Sequence, residues 1–170
     1  MSETKKHTIS VLVQNKFGVL SRVAGLFSGR GYNIESLSVN STNNPEVSRM
    51  TIVTSGDDTI IEQIDKQLNK LIDVIKVTDL FGRNFIEREL ILIKVAIDHS
   101  NRSDIIQLTE IFKGKIVNVQ KDELTIELSG DGVKIENFID MISEYKIIEL
   151  VRTGRAAISR QPGPTEDYVD

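Results

Sequence analysis

The chain has 170 residues, 39% hydrophobic and 27% charged, a globular composition with material for one ordinary domain or two small ones. It has no cysteine, which excludes disulfides, thiolate metal sites and thiol nucleophiles and is compatible with a reducing cytoplasm. Residues 1–80 carry nine basic and nine acidic side chains and residues 81–170 twelve and sixteen, so the net charge of −4 sits in the second half and neither half has the basic balance of a nucleic-acid binder. No stretch approaches 18 apolar residues and MSETKKHT lacks the apolar run of a signal peptide, so the expectation is a soluble, cytoplasmic protein with no membrane and no nucleic-acid partner.

In chain order, His7 to Val13 alternates as a strand, with Ile9, Val11 and Val13 on one face. Val19, Leu20, Val23, Ala24 and Phe27 then share one helical face, and Ser28-Gly29-Arg30-Gly31 is a helix stop. Tyr32 to Ser41 reads as a second strand. Ile34 is out of phase with Leu37 and Val39, which predicts a bulge near Glu35-Ser36. Asn43-Asn44-Pro45 is a turn, and Val47 to Ser55 a third strand. Thr59 and Glu62 have capping-box spacing, opening a helix whose stripe is Ile60, Ile64, Leu68 and Leu71. Val74 to Leu80 is the fourth strand.

The second half repeats the order. Glu89 to Ile97 is a strand; Ile105, Leu108, Thr109 and Phe112 mark a helix stopped by Gly114. Lys115 to Gln120 and Leu124 to Ser129 form a hairpin. Ile135, Phe138, Ile139 and Ile142 mark a helix capped by Asp131, and Ile147 to Ser159 is the last strand. The fold class predicted is α+β: two tandem ferredoxin-like βαββαβ units, each an antiparallel sheet in 4-1-3-2 order with its helices on one face. The domains expected are 1–80 and 88–160, joined by a linker over 81–87 and followed by a disordered tail over 161–170.

Catalysis by this chain is not expected. His7 opens a strand and His99 sits at a strand-to-helix junction; Asp98-His99 offers two metal ligands where a dependable site needs three or four. Asp57-Asp58 suits the positive end of a helix dipole. The third strand lacks the aromatics on which RNA-recognition modules stack bases. Gly29-x-Gly31 follows a helix, whereas a dinucleotide fingerprint precedes one.

One location suits a ligand. The Asn15-Lys16-Phe17-Gly18 loop feeds a helix whose first N–H groups lack partners, a seat for a carboxylate. Gly18 lets a ligand or a backbone come close, and Asn33, expected across from it, offers both donors and an acceptor. Leu20 and Ile34 would meet an aliphatic side chain. Glycine and asparagine are equally at home in ordinary turns. The second strand lies at a sheet edge with no charge in Leu37-Ser38-Val39, so two copies could pair along it and share the site across a two-fold axis.

The stretches SVLVQNKFGVLSRVAGLFSGRGYNIESLSV, SRMTIVTSGDD, IEQIDKQLNKLIDVIKV, EREL, TEIFKGKIVNV and GRAAISR resemble the small regulatory subunit family of acetolactate synthase (acetohydroxyacid synthase) over nearly the full chain. The first half resembles an ACT domain, an amino-acid-binding module, and the second that family's C-terminal ferredoxin-like domain. The resemblance implies a non-catalytic chain that activates a large thiamine-diphosphate-dependent catalytic subunit. It also implies feedback inhibition by valine in branched-chain amino-acid biosynthesis. Valine would sit at an ACT–ACT homodimer interface, where Asn15, Gly18 and Asn33 match the family's polar positions and Val19, Leu20 and Ile34 complete the bed. No metal or cofactor is expected on this chain; thiamine diphosphate, Mg and FAD are expected on the catalytic partner. Phe17 could reshape the pocket toward leucine or isoleucine. The rival readings are a free-standing ACT-type metabolite sensor and an enzyme on a ferredoxin-like fold.

Overall fold

The computed structural model describes residues 4–160; the predicted disordered tail over 161–170 lies outside them. The described residues form two compact units, 4–86 with 155–160, and Glu87–Gly154. Each carries an antiparallel sheet with two helices on one face, as the alternation and helical periodicity predict.

The first unit contains β1 (Lys5–Gln14), α1 (Val19–Gly29), β2 (Ser36–Ser41), β3 (Val47–Gly56), α2 (Asp58–Leu68) and β4 (Val74–Asp79), with sheet order β2-β3-β1-β4. Ile9, Val11 and Val13 of β1 and Met50 and Ile52 of β3 meet Val23 and Phe27 of α1 and Ile61, Ile64 and Leu68 of α2 in one core. The helix α1 stops as its sequence requires. Gly31 has φ +71, its N–H donates to Ser28 O, and the Tyr32 N–H donates back to Phe27 O at 2.9 Å.

The second unit repeats this with β5 (Phe85–Ala96), α3 (Arg102–Ile111), β6 (Lys115–Val119), β7 (Glu123–Gly130), α4 (Gly132–Ile142) and β8 (Ile147–Arg152), in the order β6-β7-β5-β8. Ile91, Ile93, Val95, Ile126, Leu128, Ile135 and Phe138 form its core. On the helix side, Glu89 is 3% exposed and neutralised by Arg152, whose Nε and Nη2 reach its two carboxylate oxygens at 2.6 and 2.9 Å. Arg152 Nη2 also lies 2.8 Å from Glu136 Oε1. Glu89, followed by Glu136, holds the guanidinium charged beyond its ordinary range.

The repeat reaches into detail. Both sheets shift register beside their fourth strand, between Leu12 and Val13 and between Lys94 and Val95. Both second helices follow the same Ser-Gly-Asp corner, 55–57 and 129–131. A Cβ on Gly56 would lie 2.8 Å from Ile60 Cγ2, and one on Gly130 2.5 Å from Lys134 Cδ, so strand and helix meet too closely for a larger residue. Asp57 and Asp131 cap the helices by accepting from the N–H groups of Ile60 and Lys134.

Five local expectations are corrected. The cap of α2 is Asp57 and not Thr59, because the Ser-Gly-Asp corner starts the helix at Asp58. The second strand starts at Ser36 with regular pairing from Ser36↔Val53 onward. The Glu35 N–H also donates to Val53 O, so Glu35 and Ser36 both face Val53, two residues against one, as the bulge expected there requires. In α3 the left-handed stop residue is Lys113, φ 55, one residue before Gly114. The linker is shorter than 81–87, since β5 already begins at Phe85.

The last correction concerns the chain end. Ile147 to Ser159 is not one strand: it breaks at Thr153-Gly154-Arg155, where the Thr153 N–H donates to Leu90 O and Gly154 has φ +77. A separate strand β9 (Ala156–Ser159) follows, and with Arg155 it belongs to the first compact unit. The strand β9 pairs β5 and, through the Ala157 N–H, bonds the Thr51 hydroxyl of β3 at 3.3 Å.

Candidate functional site

The loop between β1 and α1 is held at one end of the first sheet. The Asn15 N–H donates to Glu46 O at 2.7 Å, and the side-chain amide of Asn15 donates to Pro45 O at 2.8 Å. A cleft of about 680 Å³ lies between Gln14, Asn15 and Lys16 on one side and Asn44–Val47 on the other. Asn15 is the single expected site residue in its lining. One N–H of the Asn15 amide is engaged, so what it offers a ligand is its carbonyl oxygen and its second N–H.

Gly18 takes φ +81, ψ −5, a left-handed conformation that positions it as the residue before α1. Its glycine identity therefore answers first to backbone shape. Close approach comes second: a Cβ here would lie 3.3 Å from Nη1 of Arg22. That guanidinium folds back over the start of its own helix, with Nη2 2.5 Å from Oδ2 of the largely buried Asp73. No side chain caps α1 and its first turn carries no acid, in contrast to the Asp57 and Asp131 caps of α2 and α4. Uncapped N–H groups, the positive end of the dipole and Lys16 favour an anion at this end of the sheet, while Arg22, its charge matched by Asp73, has further N–H donors to offer.

Of the apolar positions expected here, Leu20 is 42% exposed and available, whereas Val19, 4% exposed, belongs to the core. Phe17 is fully exposed. Val39 of β2, 40% exposed, was not among the expected site residues. Its pairing with Met50, a core residue, puts it on the helix-bearing side, and the alternation of β2 carried that signal. Arg22 was also missed; its spacing of four residues from Gly18, one helical turn, was the available clue.

Asn33 and Ile34 lie elsewhere. Asn33 O accepts from the Thr54 hydroxyl at 2.6 Å, and Thr54 pairs with His7 near the beginning of β1. Asn15 stands eight residues further along, about 26 Å at strand rise. One chain therefore does not bring Gly18 and Asn33 together, contrary to the expectation that they face each other. The reason is topological: α1 runs back along the sheet for 11 residues, about 16 Å, so the loops before and after it lie at opposite ends. Ile34 is half-buried and packs on the core at the Asn33 end, and the Asn33 side chain is exposed.

The arm carrying Asn33 is tied down beyond it. The Glu35 N–H donates to Val53 O at 2.8 Å, and the Glu35 carboxylate receives Lys6 Nζ at 2.9 Å and the Ser55 hydroxyl. Lys6, then Ser55, hold the Glu35 carboxyl below its ordinary range, with a smaller contribution from the charge of Arg155. Elsewhere, His7 is buried with Nδ1 2.7 Å from Asp79 Oδ2 and its ring 4.3 Å from that of Phe81. Asp98 is occupied with Ser100 and Asn101, organising the turn before α3. Among the described residues no three His, Cys, Asp or Glu side chains converge as metal ligands, and no helix is long and apolar enough to cross a membrane.

Comparison with known proteins bears on the whole chain. Family models described as "Small subunit of acetolactate synthase" and "AHAS small subunit-like ACT domain" match residues 88–161 and 9–76. The chain is 53% identical over 159 residues to a probable acetolactate synthase small subunit of Methanothermobacter thermautotrophicus, covering 93% of this chain and 95% of that one. It is 47% identical over 166 residues to the acetolactate synthase small subunit of Aquifex aeolicus, covering 97% and 86%. The crystal structure of the acetolactate synthase small subunit from Thermotoga maritima superposes with a TM-score of 0.84 at 43% identity, covering 92% of this chain and 98% of that one. With two βαββαβ units matched end to end at this level of identity, the chain belongs to the acetolactate synthase small-subunit family.

Proposed function

We propose that this protein is the non-catalytic regulatory subunit of acetolactate synthase, which binds the large catalytic subunit, raises its activity and makes it sensitive to valine. The reaction served would belong to branched-chain amino-acid biosynthesis, in the cytoplasm. Thiamine diphosphate, Mg and FAD would be held by the catalytic subunit, where the thiamine cofactor supplies the carbanion chemistry.

The observation that carries the effector reading is the separation of Gly18 and Asn33 on a sheet whose edge strand is β2. In an antiparallel pair of two β2 strands, the Ser36 end of one copy lies across from the Ser41 end of the other. The Thr42 N–H bonds Val47 O beside the Asn15–Glu46 contact, so this is the end that carries the β1–α1 loop. Two-fold pairing thus brings the Asn33 arm of one copy toward Asn15 and Gly18 of the other. Each site would then be built from two chains. The uncapped α1 terminus and Arg22 would receive the carboxylate, and the two asparagines the ammonium. Leu20 and Val39 would meet the aliphatic side chain.

A site built this way reports directly on how the two copies are arranged. Valine would favour one arrangement of the regulatory dimer, and that arrangement would support the catalytic subunit less well. Such a shift requires different affinity for the two arrangements, since equal binding moves no equilibrium. The test is calorimetric titration with valine, leucine and isoleucine, together with assays of the reconstituted holoenzyme. Asn33→Ala is expected to weaken valine binding and inhibition at least tenfold while activation of the large subunit persists. Loss of activation and inhibition together would make Asn33 structural and overturn the assignment.

A further inference from the structure

The face of the first sheet opposite its helices carries hydroxyl side chains beside the apolar Val53, and it is covered. Thr8 and Ser10 alternate with the core residues Ile9 and Val11, and Thr51 with Met50 and Ile52; all three polar residues are at most 6% exposed. The strand β9 packs across both β1 and β3 on this unit. Two of its attachments are side-chain hydroxyls. The Arg155 N–H donates to Ser36 Oγ at 3.0 Å, and the N–H of buried Ala157 donates to Thr51 Oγ1 at 3.3 Å.

Ser36 is the first residue of β2 and directly follows the arm of Tyr32–Glu35. Along that arm, Asn33 O is fixed by Thr54, the Glu35 N–H by Val53, the Glu35 carboxylate by Lys6 and Ser55, and Ser36 by the backbone of Arg155. Tyr32 is also held by Phe27 O of α1 and by Gln63 of α2, so every anchor but the last comes from β1, β3 or the two helices. The last comes from residues more than a hundred positions away in sequence.

We propose that β9 is a strap that holds the Asn33 arm where the effector site needs it, with Ser36 and Thr51 as positioning residues for effector binding. This rests on the effector reading above. Neither residue touches the effector. Each acts by accepting a backbone N–H of the strap, so releasing the strap leaves the Ser36 end held by its pairing with Val53, loosens the arm there and lowers the fraction of chains with Asn33 in place. Apparent affinity falls with that fraction.

The test uses the full-length chain, alone and with the large subunit. Ser36→Ala/Thr51→Val removes both hydroxyls at nearly constant volume; Ala157→Glu dislodges β9 from the strap side, because a carboxylate cannot take the buried position. Three readouts apply to both variants: hydrogen exchange at the Arg155, Ala157 and Glu35 amides, valine Kd by calorimetry, and activation of the large subunit. The expected result is faster exchange at all three amides and a valine Kd raised about tenfold, with activation unchanged. Faster exchange in β9 with unchanged Glu35 exchange and unchanged Kd overturns the strap and leaves the effector site standing. Unchanged exchange in β9 of the double variant shows that the hydroxyls do not hold it and also overturns the proposal. No heat from valine, leucine or isoleucine with the wild-type chain overturns the effector reading, and the positioning role with it.

Discussion

Gly18→Ala, read against Gly25→Ala in the same helix, tests whether the start of α1 is set by backbone conformation. At Gly18 an alanine must hold φ +81, which costs an L-residue about 1–2 kcal/mol. Its Cβ would also lie 3.3 Å from Arg22 Nη1, the far end of a flexible, half-exposed side chain that can move aside, so the contact adds little. Gly25 lies in the helix interior with open space where a Cβ would go, and alanine there gains about 0.5–1 kcal/mol. The two variants should therefore differ by about 1.5–3 kcal/mol in urea unfolding, as a shift of midpoint at unchanged m-value. Adding Arg22→Ala to Gly18→Ala separates the causes: a conformational cost persists when the guanidinium is gone. Equal stability of the two single variants, or full recovery in the double variant, would refute the reasoning.

Two further outcomes are expected. Arg152→Met leaves the Glu89 carboxylate, 3% exposed, without its bidentate partner and should cost about 3–5 kcal/mol in chemical denaturation; Glu89→Gln/Arg152→Met should recover much of that loss. The Glu35 carboxyl is held below its ordinary range by Lys6 and Ser55, so its ion pair contributes stability above the unfolded carboxyl pKa that is lost as pH falls through the folded one. Melting temperatures of wild type and Glu35→Gln should then differ at neutral pH and converge on acidification below about pH 4.5. A difference that widens on acidification would reverse the assigned sign.

The architecture was legible because both halves state it twice. Ser-Gly-Asp before a periodic stretch placed the α4 cap at Asp131, and the same triplet at 55–57 competed with the Thr59–Glu62 spacing and prevailed. Ile34 announced by its phase the irregularity at Glu35-Ser36, where two residues face Val53, but phase alone did not show that regular pairing begins only at Ser36. At the candidate site, residue types were readable and relative position was not. Asn15 and Gly18 share the loop between β1 and α1. Asn33 was set across from them, although an 11-residue helix between two loops carries the second to the far end of the sheet. The return of β9 was hidden because pattern says nothing about which sheet a strand joins.

The route of β9 also imposes an order of assembly. During synthesis the first four strands and two helices are complete by Asp79, whereas β9 emerges only after the whole of Glu87–Gly154 has been made. Ala157 and its acceptor Thr51 are 106 positions apart, and Arg155 and Ser36 are separated by 119. An unfolded loop of that length closes slowly and at an entropic cost; a folded unit between the ends shortens the effective loop. The nascent chain therefore passes through a stage in which the first sheet has formed and Thr8, Ser10 and Thr51 face solvent. Their hydroxyls keep that face wettable while it waits, where an apolar face of the same area would invite aggregation. A hydroxyl-bearing surface beneath the last strand is thus suited to a molecule whose covering arrives late.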